Sequence, residues 1–299
     1  MKFLRLGGAQ LAVGAAAIFA RFAIGGTGPL GAAALRLGIA ALIVVGFAAV
    51  RHGWRPRAAR TEVAFAIAGL ALAVHFASWI SSLLYTSVAV STLLVTTTPI
   101  WTGLYETIVQ RQPATGRYWI GLVCALAGIW LVGGAHSAAA PVAGHVAFGN
   151  LLAIIGAVAI GAYFMIVRAV GARPRSSDPI PTLEIVARTY SWAALALAIA
   201  ALATHQGAPG NNLAAWGGIV GMALISQLLG HTALNASLHD FTPSIVAIST
   251  LLEPVFAALL AAAIFHESLT PTTILGGALV LLAVYLALST ATSDAPATT

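Results

Sequence analysis

A single carboxylate interrupts a long apolar run: Glu253 lies about ten residues into the stretch 243–265. If that stretch spans a bilayer, the charge sits near the midplane. Inserting an acid there costs about 2.5–3.5 kcal/mol on translocon scales, so an intramembrane acid is a functional candidate by default. Glu253 could bind a substrate ammonium or hold a coupling proton. The competing reading is a structural acid, paired to an Arg or to backbone freed by Pro254. Two histidines fall in similar runs, His75 and His231. Each could donate to a carboxylate or titrate near neutral pH, against the plainer reading of a satisfied packing residue. Counting residues along their runs places them at different depths, which argues against a shared metal.

Around these lie amphipathic groups. Trp79 follows His75 by four residues and shares its helix face. Trp101 comes two residues after Pro99, and Tyr163 sits deep in the sixth run. Gln227, His231 and Asn235 recur at four-residue intervals and should form one polar stripe facing protein or water rather than lipid. Aromatic walls carrying a few polar groups suit a small amphipathic solute; packing and interhelical hydrogen bonds are the bland alternatives. Pro99 and Pro254 each remove a backbone donor and should bend their runs. We read them as paired hinges, with static kinks as the alternative. Arg21 and Arg36 fall in runs one and two, where snorkelling or structural pairing is favoured over drawing in an anion. Arg188 reads as an anchor and Glu106 as a partner of Arg111. Gly121, Gly128, Gly276 and Gly277 mark close helix contacts, within a scaffold or a dimer.

The elements carrying these residues follow from composition. Of 299 residues, 60% are hydrophobic and only 7% are charged, against about 25% charged in an ordinary soluble domain. Mean hydropathy is +0.95. A crossing helix needs about 20 apolar residues, and ten such runs are present: 6–26, 29–50, 62–83, 89–109, 118–134, 148–168, 183–204, 213–234, 243–265 and 272–290. Breaks fall at Gly25 to Pro29, Tyr85 to Ser87, Pro141, Pro174 to Pro181, Pro209 to Asn211 and Pro271. The expected fold is therefore all-α, a polytopic membrane protein of ten transmembrane helices.

With the N-terminus inside, eleven Lys and Arg fall in inner segments, from Lys2 through Arg173 and Arg175, and none in outer loops; Arg21, Arg36 and Arg188 lie within spans. That asymmetry places both termini in the cytoplasm, and it accounts for the formal charge of +6 without nucleic acid. The lipid bilayer is the expected partner. Lys2 is the only lysine, so the chain has no Walker A ATPase of its own and no buried lysine for a Schiff-base cofactor. Cys124 stands alone, which excludes an intrachain disulfide. Neither GxSxG nor HExxH occurs, and no charged ring or filter-like loop suggests a channel. No enzyme activity, cofactor or metal is expected; oligomeric state stays open.

The two halves repeat. Pro29 to Arg36 and Pro181 to Arg188 are both seven residues; Pro99 to Gly121 and Pro254 to Gly276 are both 22; His75 precedes Pro99 by 24 and His231 precedes Pro254 by 23. Two five-helix repeats, 1–140 and 141–299, are expected. Five is odd, so the second copy enters from the opposite side. Inverted repeats of this kind typify secondary transporters, with the site near the midplane.

At these residues the chain resembles the drug/metabolite transporter superfamily, in its ten-span EamA type. The likeness is carried by Leu35-Arg36, the Pro99 and Pro254 stretches, GLVCALAGIWLV from Gly121 and HESLTPTTILGGALVLLAVYL from His266. The second copy keeps the spacing from Pro254 to Glu267; the first has Gln112 where the family has Glu. In size and central polar residues it is similar to bacterial amino-acid exporters of the YddG type. The resemblance implies an inner-membrane carrier that moves small metabolites outward by alternating access, with spans three, four, eight and nine around the cavity. Amino acids, aromatic or otherwise neutral, are the leading cargo; drugs or quaternary cations are the alternative.

Overall fold

A computed structural model describes residues 2–53, 55–86, 88–134, 145–171, 180–265 and 269–293, and among them the chain forms helices and no strand. The first apolar run is two helices, α1 (Lys2–Gly14) and α2 (Ala16–Thr27), parted at Ala15. Then come α3 (Pro29–His52) and α4 (Ala59–Ser82). The fourth run is split into α5 (Val88–Val95) and α6 (Thr98–Ile108), and is followed by α7 (Gly116–Gly134), α8 (Val146–Gly171) and α9 (Thr182–Ala203). Helix α10 (Leu213–Gly221) continues as a π-wound segment, Met222–His231, and then as α11 (Thr232–Ser237). Helices α12 (Pro243–Ser249) and α13 (Glu253–Phe265) flank a 3₁₀ turn, Thr250–Leu252, before α14 (Pro271–Ser293).

Local chemistry sets the joints. Gly28 takes φ 77°, which glycine adopts without a Cβ penalty, and Pro29 begins α3 with φ already fixed. The orphan amides of Leu30 and Gly31 donate to Gln206 Oε1 at 2.7 and 3.3 Å. Asn212 Oδ1 caps α10 by accepting from the Ala215 amide at 3.1 Å.

Among the described residues, seven helical stretches are long and apolar enough to cross a membrane, including Lys2–Thr27, Leu213–Ser237 and Pro243–Ile264; Gly116–Val132 and Pro271–Leu286 are shorter apolar helices. Leu42, Phe47, Trp130, Leu229 and Tyr285 are each more than three-fifths exposed. Apolar surface on this scale requires lipid as its solvent. The chain is a multi-pass membrane protein.

The packing is doubled. Helix α3 lies on α9, and α7 on α14. Helix α4 packs on α8, and in the same way α1–α2 pack on α10 and its π-wound continuation. Helices α5 and α6 touch α8, as α12 and α13 touch α1. Exchanging each helix with its counterpart in the other half leaves these principal pairs unchanged. The α7–α14 seam depends on glycine: a Cβ on Gly128 would sit 2.6 Å from the Gly276 carbonyl, and one on Gly276 would sit 2.4 Å from the Gly128 carbonyl. These two glycines meet inside one chain. The expected boundary at 140/141, and Ser87, Pro141, Arg173, Pro174, Arg175, His266 and Glu267, lie outside the described residues.

Candidate functional site

A cavity opens where the two halves meet. Its wall takes Val13, Gly14, Ala16 and Ala17 from α1–α2, Arg36 from α3, and His75, Phe76 and Trp79 from α4. Thr92, Thr96 and Thr98 come from the α5–α6 rod, Phe164 from α8, His231 and Leu234 from the rod beginning at α10, and Thr250 and Glu253 from the α12–α13 rod. Four departures from α-helix border it: the break at Ala15, the break at Thr96–Thr97, the π-wound segment and the 3₁₀ turn. Irregular backbone at membrane depth is tolerated where it lines a cavity, and discontinuous helices at the junction of repeats are how transporters build binding sites.

Hydroxyls stabilise the two broken rods. Thr96 Oγ1 donates to the Thr92 and Leu93 carbonyls at 2.8 and 3.0 Å, Thr97 Oγ1 to Leu94 O at 2.6 Å and Thr98 Oγ1 to Val95 O at 2.9 Å. In the other half Ser249 Oγ donates to Val246 O at 2.6 Å and Thr250 Oγ1 to Ala247 O at 2.7 Å. Pro99 and Pro254 are then the second residues of α6 and α13. The expected bends are instead breaks, because proline suits a helix's first turn, where its missing N–H would be an orphan anyway. The Pro99 carbonyl accepts from Tyr118 Oη at 2.7 Å.

Glu253 is the first residue of α13, where the positive end of the helix favours a carboxylate. Across the cavity stands Arg36, 0% exposed, so the snorkelling expected from its position along α3 is corrected. Too far from a helix end to reach water, the guanidinium lies over the Phe76 ring at 4.1 Å and donates from Nε to Gln227 Oε1 at 3.0 Å. Its Nη1 and Nη2 are buried and meet no partner among the described residues. Arg36 and Glu253 line the same cavity, and among the described residues no ion pair joins them.

The histidines are neighbours, with ring centroids 6.5 Å apart, not separated in depth as residue counting suggested. Side chains lean toward the N-terminus of their helix, and in oppositely running rods those leans converge. His75 Nδ1 lies 2.9 Å from the Gly156 carbonyl. A carbonyl only accepts, so Nδ1 carries the proton and Nε2 of the neutral ring is an acceptor. Trp79 stacks on His75 at 6.3 Å and 8°; its Nε1 is a buried donor without a partner.

Of the eight candidate binding residues, His75, Trp79, His231 and Glu253 line the cavity and four stand behind or beside it. Tyr163 is buried and donates to Asn235 Oδ1 at 2.8 Å, while Asn235 Nδ2 donates to the His231 carbonyl at 2.7 Å. Gln227 holds Arg36. Trp101 is half-buried, its Nε1 donating to Thr97 Oγ1 at 3.4 Å. The expected polar stripe is thus put to different uses, Gln227 on Arg36, His231 on the cavity wall and Asn235 on Tyr163. Glu106 accepts from the Ser244 amide at 3.1 Å rather than pairing with Arg111. Arg188 joins a network: Nε donates to Glu184 Oε1 at 3.0 Å, Nη1 to Glu62, and Nη2 to the Arg55 carbonyl at 2.5 Å. Arg57 grips Glu184 with Nε and Nη2 at 2.9 and 2.6 Å.

Arg36, Phe76, Thr98 and Thr250 line the cavity as well, beyond the eight candidates. Arg36 carries the same signal as Glu253, a lone charge deep in an apolar run; the other three carry none.

Interrupted helices around a polar, charge-bearing cavity in a membrane bundle define the class, a membrane transporter. The chain belongs to the EamA-like transporter family, which matches residues 6–134 and again 147–289. The double match gives it that family's two-repeat architecture. The family's members are membrane transporters of small substrates rather than enzymes. A solved crystal structure, described only as that of a protein, has a TM-score of 0.78 at 18% identity and covers 97% of this chain and 98% of that chain. At this identity the likeness shows the fold alone. Comparison with curated proteins gives no match.

Proposed function

We propose that this chain exports small amphipathic metabolites, with amino acids as the cargo, by alternating access through the central cavity. One observation carries the reading: Arg36 and Glu253 line the same cavity, unpaired with each other, between aromatic rings. A neutral amino acid brings one charge of each sign and an apolar or aromatic side chain. Its carboxylate would neutralise Arg36, its ammonium would neutralise Glu253, and the side chain would lie against Phe76, Trp79 and Phe164. A quaternary cation would satisfy Glu253 and leave the buried guanidinium facing a second positive charge, which disfavours the drug-exporter alternative.

The reading takes the chain as ten spans in two inverted repeats, likened to amino-acid exporters of the YddG type. Seven spans are the long apolar helices; α7, α14 and the broken α5–α6 rod supply the others. The basic end, which carries Arg5, Arg57 and Arg168, faces the cytoplasm of an inner-membrane protein, and both termini lie there. Pro99 and Pro254 act as matched hinges, because the breaks beside them let the half-helices re-aim while the continuous α3–α9 and α7–α14 pairs stay fixed.

The experiment is flux through proteoliposomes, with labelled leucine and phenylalanine, with and without a pH gradient, in competition with tetraphenylphosphonium. Saturable amino-acid exchange that the cation does not inhibit is expected. Uptake of the cation with no amino-acid flux overturns the reading.

A further inference from the structure

The halves contain their own comparison for Arg36. It lies seven residues after Pro29, as Arg188 lies seven after Pro181, and each contacts the rod that packs across from its own helix. Both are buried, at 0% and 4% exposure. Arg188 uses Nε, Nη1 and Nη2, on Glu184, Glu62 and the Arg55 carbonyl. Arg36 uses Nε alone, on Gln227 Oε1, while Nη1 and Nη2 meet no acceptor and the residue lines the cavity. Leaving charged donors unmatched inside a membrane protein is costly. The cost at Arg36 is relieved when an anion arrives.

We propose that Arg36 is a two-pronged carboxylate receptor and Gln227 its positioning residue, so that the cargo is selected for a free carboxylate. The guanidinium is planar, so one hydrogen bond at Nε and the Phe76 face at 4.1 Å fix its orientation. The remaining fork then fits the two oxygens of a carboxylate. Gln227 reaches Nε from the π-wound segment, a kind of irregularity that gathers at functional sites. Trp79 Nε1, a further unpartnered donor on the cavity wall, adds to the donor surface. The inference rests on the amino-acid reading and deepens it. It implies that esters and amides, which keep the ammonium and side chain but lose the anionic fork, are rejected.

The test is equilibrium binding to the full chain in nanodiscs, using phenylalanine, its methyl ester, its amide, 3-phenylpropionate and phenethylamine. Phenylalanine is expected to bind about 10- to 100-fold tighter than its ester, the value of a charged hydrogen-bonded contact, with 3-phenylpropionate ahead of phenethylamine. Arg36→Lys should shrink the acid-to-ester ratio to a few-fold. Gln227→Glu, which places an internal carboxylate on the guanidinium, should lower acid affinity and leave ester affinity nearly constant. A merely structural Gln227 would move both together. Equal binding of acid and ester to the wild-type chain overturns the receptor and leaves the amino-acid reading standing, a comparison that needs no variant to fold. Binding of 3-phenylpropionate without phenylalanine upholds the receptor and overturns the amino-acid reading. Binding of none of the five overturns both.

Discussion

Thr98 and Glu253 occupy equivalent places, each one residue before its matched proline, and both line the cavity. The two halves therefore present the same backbone break to the cargo with different chemistry, a neutral hydroxyl on one side and a carboxylate on the other. Thr98 spends its proton on the carbonyls of Val95 and Ala157, at 2.9 and 3.3 Å. Glu253 is free to act on a ligand. Glu253→Gln is expected to cut exchange of neutral amino acids at least tenfold. It should also raise Tm by about 1–2 °C, the shift that goes with about 1 kcal/mol in a protein of this size, because a carboxylate in apolar surroundings is destabilising. Flux and thermal unfolding measured on one preparation check the pair; normal flux with unchanged Tm would remove Glu253 from the mechanism.

The broken rods make a separate prediction about motion. A Pro99→Ala, Pro254→Ala double variant restores two backbone donors and lets helix run through both breaks. Binding of phenylalanine should stay within about threefold, since neither proline lines the cavity, while the exchange rate should fall by an order of magnitude or more. Equal loss of binding and rate would mean that the prolines shape the site rather than its movement. A variant exchanging at the parent rate would make them static kinks.

At the α7–α14 seam, Gly276→Val puts a Cβ into the Gly128 carbonyl. Backbone cannot yield as a side-chain end can, so the helices must separate. A loss of at least about 2 kcal/mol, in the range of overpacked sites, should appear as a Tm drop with no change in oligomeric state on size exclusion. A shift from dimer to monomer without a fall in Tm would instead show that this seam governs association between chains more than the stability of the bundle.

Much of this architecture was legible in the chain because lipid imposes one rule, that apolar helices satisfy their own backbone. The Pro29/Pro181 and Pro99/Pro254 spacings disclosed the repeat, and lone polar groups in apolar runs pointed to Glu253, His75 and His231, which line the cavity. The depth of the histidines was misjudged because residue counting ignores the lean of side chains along oppositely running helices. The separate uses of Gln227, His231 and Asn235 could not be read, since the partners Arg36 and Tyr163 lie far away along the chain. Arg36 was underrated because nothing in the chain separates a guanidinium that reaches the interface from one held inward by Gln227, a residue 191 positions away.

The charge network near the start of α9 tests how much of the bundle's stability is ionic. Glu184 is 6% exposed in its side chain and receives Arg57 through two hydrogen bonds and Arg188 through Nε. Glu184→Gln would remove the carboxylate that the two guanidinium groups share. Breaking a buried pair by removing one partner costs about 3–5 kcal/mol, since the remaining charges are desolvated without compensation. The pair between Arg5 and Asp240 is exposed by 37% and 40%, and such pairs contribute about 0–1 kcal/mol. Glu184→Gln should therefore lower Tm several-fold further than Asp240→Asn. Raising salt to about 1 M, where the screening length falls to about 3 Å, should erase the small Asp240 effect and leave most of the Glu184 effect. Two equal Tm shifts that both vanish in salt would show the Glu184 network to be open to water rather than buried.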